Sequence, residues 1–162
     1  MTFQYKHVGS PLGQILIAAS DDGIKGLWFE NQLHHPDTSG WQAVRSHKWL
    51  DQCASEIQCY FEGTLREFKS PLSTPWGTEF QQAVWRELQL IPFGQTTSYG
   101  ELATRIKKPQ AVRAVGAAIG KNPWSIVVPC HRIIGANGSL TGYAGGLERK
   151  TSLLRLEKAS TL

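Results

Sequence analysis

The 162-residue sequence contains no apolar run long enough to cross a bilayer, because a spanning helix needs about 20 consecutive apolar residues. It also lacks the charged start and apolar stretch of a secretory signal, so we expect a cytoplasmic, unprocessed protein with no membrane partner. Cysteine is scarce, and three residues without an export signal predict free thiols and argue against a disulfide framework. A composition that is 41% hydrophobic and 19% charged gives no sign of disorder.

Charge divides the chain into two halves. Residues 1–73 carry 6 Lys and Arg against 8 Asp and Glu, whereas residues 74–162 carry 11 against 5, so the second half supplies the net charge of +4. A basic lobe beside a mildly acidic one is typical of a protein that binds a polyanion. A solvated charged face without a partner gives the same balance, so charge alone leaves nucleic-acid binding open.

The first lobe, residues 1–73, is predicted to be an α/β domain. Apolar and polar residues alternate around Tyr5, Ile17 and Leu27, with turn residues between them, which predicts an antiparallel meander of three strands. Periodicity fails over residues 31–45, which we interpret as a loop. Its two adjacent histidines have no Cys or His at ligand spacing nearby, so we predict no metal site. A helix over residues 46–61 places Cys53 on its apolar face as a packing residue.

Residues 64–77 contain prolines and little periodicity and are interpreted as a linker to a second, mainly helical domain, residues 74–162. Thr78 and Ser98, each followed three residues later by Gln or Glu, predict capping boxes at the starts of two helices. A third helix over residues 110–119 follows the second after a short turn, which is the pattern of a helix-turn-helix. The last helix is predicted over residues 147–158.

The third helix is built from small residues, with Arg113 as its one long charged side chain. A helix that reads bases carries several long polar side chains. This helix is instead typical of close approach to a binding partner, with Arg113 as a single probing side chain. The alternative is a packing face with Arg113 in solvent. A buried strand that begins at residue 126 and ends at Pro129, an Asn137-Gly138 hairpin signal and a second strand to about Tyr143 complete a winged arrangement.

Cys130 lies where the predicted buried strand ends at Pro129, which has no N–H for a strand ladder. A buried cysteine is often a small core residue. Here His131 and Arg132 are its neighbours, and we predict an electropositive setting that favours the nucleophilic thiolate. Residues 130 and 131 of a continuous strand point to opposite faces, so His131 serves Cys130 only through a bend or a bridging water.

These residues resemble the active-site signature of the O6-alkylguanine-DNA alkyltransferases, also called methylated-DNA–protein-cysteine methyltransferases. The similarity covers most of residues 76–158. It rests on Phe80-Gln81-Gln82-Ala83-Val84-Trp85, Ser98-Tyr99, Arg113-Ala114-Val115-Gly116, Asn122-Pro123, Pro129-Cys130-His131-Arg132-Ile133, Thr141-Gly142-Tyr143-Ala144-Gly145-Gly146 and Leu153-Leu154-Arg155-Leu156-Glu157. It implies a ribonuclease-H-like first lobe, a winged helix-turn-helix second domain, and a monomer that needs no cofactor or metal.

The resemblance also implies a reaction and a role for each site residue. One alkyl group passes irreversibly from O6-alkylguanine or O4-alkylthymine to Cys130, after the damaged base of double-stranded DNA has flipped out and been approached from the minor groove. His131 and Glu157 carry the thiol proton, and Asn122 braces the loop before the cysteine. Tyr99 turns a phosphate and donates a proton to the leaving base, although a core tyrosine has the same sequence pattern.

The remaining residues divide between the DNA surface and the base pocket. Arg113 is the finger that fills the gap in the stack, and Ala114 and Gly116 lie beside it. The pocket is lined by Ile133, Tyr143, Ala144 and Gly145. Many family members have serine where this chain has Ala144, which leaves the preferred alkyl group open. Two alternatives remain, namely a non-catalytic winged-helix protein that only binds alkylated DNA and a cysteine hydrolase that uses Cys130 and His131.

Overall fold

The computed structural model describes residues 2–74 and 76–158. The chain divides into two compact units, Met1–Pro75 and Trp76–Leu162. The first has a four-stranded mixed sheet and one helix, and the second is mainly helical. In the described part of the chain, no helix is long and apolar enough to cross a membrane.

The sheet of the first unit has the order β3-β2-β1-β4. Strands β1 (Gln4–Val8), β2 (Ile15–Ser20) and β3 (Gly23–Phe29) form the predicted antiparallel meander. Strand β4 (Gln42–Ala43) pairs parallel with β1, inside the segment that the sequence predicted to be a loop. Its two exposed residues lack the alternation that marks a strand, so only the register with β1 defines it.

Helix α1 (Lys48–Phe61) packs on this sheet through a buried face of Leu50, Cys53, Ile57 and Tyr60, which confirms that Cys53 is a packing residue. The helix ends at Phe61, and two residues later Gly63 has a φ of 82°, which suits glycine. There the N–H groups of Gly63 and Thr64 donate to the carbonyls of Tyr60 and Cys59, as in a Schellman motif.

The prediction of a linker over residues 64–77 is wrong for its middle part. The amides of Lys69 and Ser70 donate to the buried carboxylate of Glu56 at 2.8 and 3.0 Å. The N–H of Ile24 then donates to the carbonyl of Pro71. These bonds tie the segment to the first unit, because a buried carboxylate needs donors that its own helix does not supply. Pro75 lies outside the described residues.

The second unit contains the predicted helices α2 (Glu79–Leu88), α3 (Tyr99–Arg105), α4 (Val112–Gly120) and α5 (Leu147–Leu156). Thr78 and Gln81 form a complete capping box at α2, and the side chain of Ser98 accepts from the Glu101 amide at α3. Trp85 of α2 donates through Nε1 to the Ala118 carbonyl of α4 at 2.8 Å, which fixes these two helices together.

Two strand predictions in this unit are wrong. Residues 126–128 form a turn, and only Ile133–Ile134 (β6) is a strand, paired parallel with Thr97–Ser98 (β5). Residues 139–146 contain no strand, although the Gly135 amide still closes the predicted turn onto the Ser139 carbonyl. The carbonyls of this loop accept instead from side chains of α5, and these bonds replace the ladder of a hairpin.

Candidate active site

Cys130 opens a single turn of 3-10 helix, Cys130–Arg132, and is 4% exposed. Two tight turns lead into it. The Val127 amide donates to the Ser125 carbonyl across Ile126, and the Cys130 amide donates to the Val128 carbonyl across Pro129. Ile126 has φ of 70°, a left-handed conformation that is costly for a β-branched residue, so the surrounding structure must hold it there.

Asn122 supplies that support. Its side-chain oxygen accepts from the Trp124 amide at 3.0 Å, and its nitrogen donates to the Val128 carbonyl at 2.8 Å and the Trp124 carbonyl at 3.4 Å. The residue is buried, so these bonds form without competition from solvent. The hydrogen bonds of the Asn122 side chain thus replace those of a neighbouring strand and fix the turn that precedes Cys130.

His131 and Glu157 form a buried pair. The imidazole Nε2 lies 2.8 Å from the Glu157 carboxylate, and both side chains have no exposed surface. Burial lowers the pKa of His131, and the hydrogen bond and charge of Glu157 offset only part of that effect. The ring is therefore neutral at pH 7, with Nε2–H donating to the carboxylate and Nδ1 left as a proton acceptor. Nδ1 is buried and has no hydrogen-bond partner in residues 2–74 and 76–158.

Arg132 holds the other side of the same carboxylate. Its Nε and Nη2 donate to Glu157 at 2.8 and 3.0 Å, and its Nη1 donates to the Ile91 carbonyl at 2.7 Å. Burial raises the pKa of Glu157, but His131 and Arg132 outweigh it and keep the pKa well below its usual range. Glu157 is therefore ionised and fixed, as in other pairs that orient a histidine base.

The prediction that His131 and Arg132 favour the Cys130 thiolate is wrong. Burial raises the pKa of the thiol, and the side chains that oppose this increase are Asn122 and Lys150. Arg132 is occupied by Glu157, and His131 is neutral. The resting cysteine is therefore a thiol at pH 7, and attack requires a base to take its proton.

Lys150 is a second buried cation of this site, and the sequence analysis did not single it out. It is fully buried on α5, and its Nζ donates to the Thr141 carbonyl at 2.6 Å and the Gly142 carbonyl at 3.4 Å. Burial lowers its pKa to about 8, so it is still mostly protonated at pH 7. A lysine among the apolar residues of the last helix, three residues before Leu153 and four before Leu154, was the signal available in the sequence.

The predicted pocket residues lie on β6 and in the loop before α5. Ile133 and Gly145 are buried, and Tyr143 and Ala144 are half-buried. The Tyr143 hydroxyl is buried. Burial raises its pKa well above the usual value, and the adjacent Cys130 adds to the increase, so the group stays a neutral donor beside the sulfur.

The predicted DNA-contacting residues lie on α3 and α4. Arg113 and Ala114 are exposed, whereas Tyr99 and Gly116 are half-buried. A Cβ placed on Gly116 meets the Tyr99 ring at 3.8 Å, so the two helices touch at this point. The Tyr99 hydroxyl lies 3.1 Å from Thr141 Oγ1. This contact connects the first residue of α3 to the loop over residues 135–146, called the pocket loop below.

No group of three His, Cys, Asp or Glu side chains that could hold a metal ion occurs in residues 2–74 and 76–158. His34 and His35 lie in the exposed loop that precedes β4. His131, Glu157 and Arg132 are engaged with one another beside Cys130, which is an arrangement suited to proton transfer and nucleophilic attack.

Two family models match the chain. The model described as "6-O-methylguanine DNA methyltransferase, DNA binding domain" matches residues 79–159, and "6-O-methylguanine DNA methyltransferase, ribonuclease-like domain" matches residues 4–74. The methylated-DNA–protein-cysteine methyltransferase of Mycolicibacterium paratuberculosis is 46% identical over 155 residues, which cover 96% of this chain and 92% of that protein. The protein of the same name from Methanosarcina acetivorans is 46% identical and covers 91% of this chain and 94% of its own length.

Solved structures agree with these relatives. The crystal structure of Mycobacterium tuberculosis O6-methylguanine methyltransferase matches with a TM-score of 0.88 and 43% identity, over 97% of this chain and 93% of that one. The structure of Mycobacterium tuberculosis OGT in complex with DNA matches with a TM-score of 0.89 and 42% identity, over 98% and 94% of the two chains.

Proposed function

Because the chain belongs to the 6-O-methylguanine DNA methyltransferase family and repairs DNA by alkyl transfer, we propose that Cys130 is the residue that accepts the alkyl group. The observation that carries this assignment is the buried His131–Glu157 pair, joined at 2.8 Å and following directly on the cysteine. Cys53 and Cys59, by contrast, belong to α1 of the other unit.

The reaction forms one S–C bond and breaks one C–O bond. Nδ1 of His131 takes the proton of the Cys130 thiol, directly or through water, while Nε2–H stays bonded to the Glu157 carboxylate. The sulfur attacks the alkyl carbon, and the guanine leaves with the electron pair on O6 and takes up a proton from the Tyr99 hydroxyl, which solvent then replenishes. The thioether is stable, so each molecule reacts once, and substrate can be O6-alkylguanine or O4-alkylthymine.

The DNA is engaged by α3 and α4, which act as a helix-turn-helix in the minor groove. Target atoms inside a duplex cannot reach a cysteine that is 4% exposed, so the damaged base flips into the pocket of Tyr143 and Ala144. Arg113 fills the gap in the stack. The small exposed residues of α4 permit close approach without reading the sequence, which suits a protein that must find damage anywhere. The loop over residues 135–146 takes the place of the wing.

The acceptor is tested by intact-protein mass spectrometry after incubation with excess duplex that contains O6-methylguanine. One added methyl group, about 14 Da, located on Cys130 by peptide mapping is the expected result. Cys130→Ser should gain no mass and still bind DNA, whereas the control Cys59→Ala should gain the full increment. Bound DNA with no mass change in the wild type would instead indicate a lesion-binding protein. Continued release of product beyond one equivalent would indicate a hydrolase.

The finger role of Arg113 is tested by comparing two substrates. Arg113→Ala should slow transfer from duplex O6-methylguanine strongly but leave the reaction with free O6-benzylguanine nearly unchanged, because only the duplex requires extrusion of a base. Lys121→Ala, which removes an exposed cation just after α4, is the control and should change neither rate by much. Equal slowing of both substrates by Arg113→Ala would exclude the finger role.

A further inference from the structure

Thr141 connects the pocket loop to the first residue of α3. Its Oγ1 donates to the hydroxyl oxygen of Tyr99 at 3.1 Å, although 42 residues separate the two in sequence. We infer that Thr141 is a positioning residue for alkyl transfer, which holds the Tyr99 hydroxyl and leaves its hydrogen available to the base. This inference rests on the proposed function, because it assigns Thr141 a part in the step that Tyr99 performs.

The backbone of Thr141 is itself fixed. The buried Lys150 ammonium donates to the Thr141 carbonyl at 2.6 Å and to the adjacent Gly142 carbonyl at 3.4 Å. The bond at 2.6 Å is short and charge-assisted, which makes it one of the stronger kinds of hydrogen bond. The Thr141 hydroxyl is therefore presented to Tyr99 from a backbone that α5 anchors, and not from a free loop.

Tyr99 is held on its other side as well. Its ring lies against α4, where a Cβ added to Gly116 would be 3.8 Å from the ring carbons. Packing against α4 limits where the ring lies but does not fix the hydrogen of the hydroxyl, which rotates about its C–O bond. The bond from Thr141 decides that orientation, because a phenol oxygen that accepts one hydrogen bond directs its own hydrogen elsewhere.

The direction of this bond matters for the reaction. A donor at the phenol oxygen stabilises the negative charge that develops there as Tyr99 gives its hydrogen to the departing base. Thr141 keeps its own proton throughout, so no bond to it forms or breaks. If Thr141 instead accepted a hydrogen bond from Tyr99, the Tyr99 hydroxyl hydrogen would be bonded to Thr141 and would not be available to the base.

The test removes one hydroxyl at a time. Thr141→Val should slow transfer from duplex O6-methylguanine about 3- to 10-fold, the range for one neutral hydrogen bond. Thr141→Ser, which keeps the donor, should restore most of the rate. In a Tyr99→Phe background, Thr141→Val should cause no further loss, because its effect passes through the Tyr99 oxygen. The matched control is Ser139→Ala, which removes a hydroxyl from the same loop.

Incorporated 3-fluorotyrosine gives a readout that does not depend on transfer. The chain has four tyrosines, and the Tyr99 resonance is assigned by its loss in Tyr99→Phe. That resonance should shift in Thr141→Val but stay in place in Thr141→Ser and Ser139→Ala. A wild-type rate in Thr141→Val, or an equal loss with Tyr99→Phe present, overturns the positioning role. If the fluorine resonance shifts in Thr141→Val but the wild-type chain accepts no alkyl group, the proposed function is overturned instead.

Discussion

Arg132→Met tests whether the buried charges hold the second unit together. The substitution removes two bonds to Glu157, at 2.8 and 3.0 Å, and a third to the Ile91 carbonyl, and leaves a fully buried carboxylate paired with a neutral histidine. Removing one partner from a buried ion pair costs about 3–5 kcal/mol, because the remaining charge stays desolvated. With a urea m-value of about 2 kcal/mol/M, the unfolding midpoint should fall by about 2 M.

The assay is urea unfolding followed by tryptophan fluorescence, to which Trp85 and Trp124 in the second unit contribute. The control is Arg105→Met, which breaks an exposed pair with Glu101 at 3.7 Å and should cost less than about 0.5 kcal/mol. Adding Glu157→Gln to Arg132→Met should recover part of the loss, because the neutral amide no longer requires the arginine. The reasoning is refuted if the two arginine variants unfold at the same urea concentration.

Three further outcomes are expected. Gly116→Ala should stabilise the chain by about 0.5–1 kcal/mol in thermal unfolding but weaken duplex binding measured by fluorescence anisotropy. The control is Gly120→Ala, whose added Cβ has nothing within 4 Å and which should leave duplex binding intact. Lys150→Met should raise the pKa of the Cys130 thiol further, seen as thiolate absorbance that appears at higher pH than in wild type; an unchanged titration would exclude the electrostatic role. The pKa of His131 is lower in the folded chain than in the unfolded chain, so the unfolded chain binds more protons below a pH of about 6.5. The free energy of unfolding should therefore fall as the pH drops below that value, and this contribution should be missing in His131→Gln.

Local sequence signals were sufficient for the helices of the second unit. Capping residues such as Thr78 and Ser98 act on backbone groups within three positions, so the pattern contains the interaction itself. The start of α4 was harder, because Ala111 makes no side-chain cap there and the helix begins two residues after its predicted start. The meander of the first unit was equally predictable, since its strands are neighbours in sequence.

The turn before Cys130 could not be predicted from its own residues. Ile126, Val127 and Val128 favour a strand by composition, and the turn exists because Asn122 provides the hydrogen bonds that a partner strand would otherwise provide. The place of Lys150 in the site could not be predicted for a related reason, because its hydrogen bonds to the carbonyls of residues 141 and 142 depend on how α5 packs. Sequence proximity suggested Arg132 as the charge beside the thiol, and the fold directs it to Glu157.

The carboxylate of the site is supplied by Glu157, the residue that caps the end of α5, and it lies 26 residues after the histidine that it binds. Because the chain is synthesised from its N-terminus, Cys130 and His131 are made before Glu157, whose carboxylate binds the imidazole. A nascent or truncated chain that stops short of residue 157 contains Cys130 and His131 but has neither the partner of the ring nor the anchor of Arg132. On the proposed function, the capacity to accept an alkyl group is a property of the completed second unit, and a fragment that contains Cys130 without Glu157 is not a substitute for it.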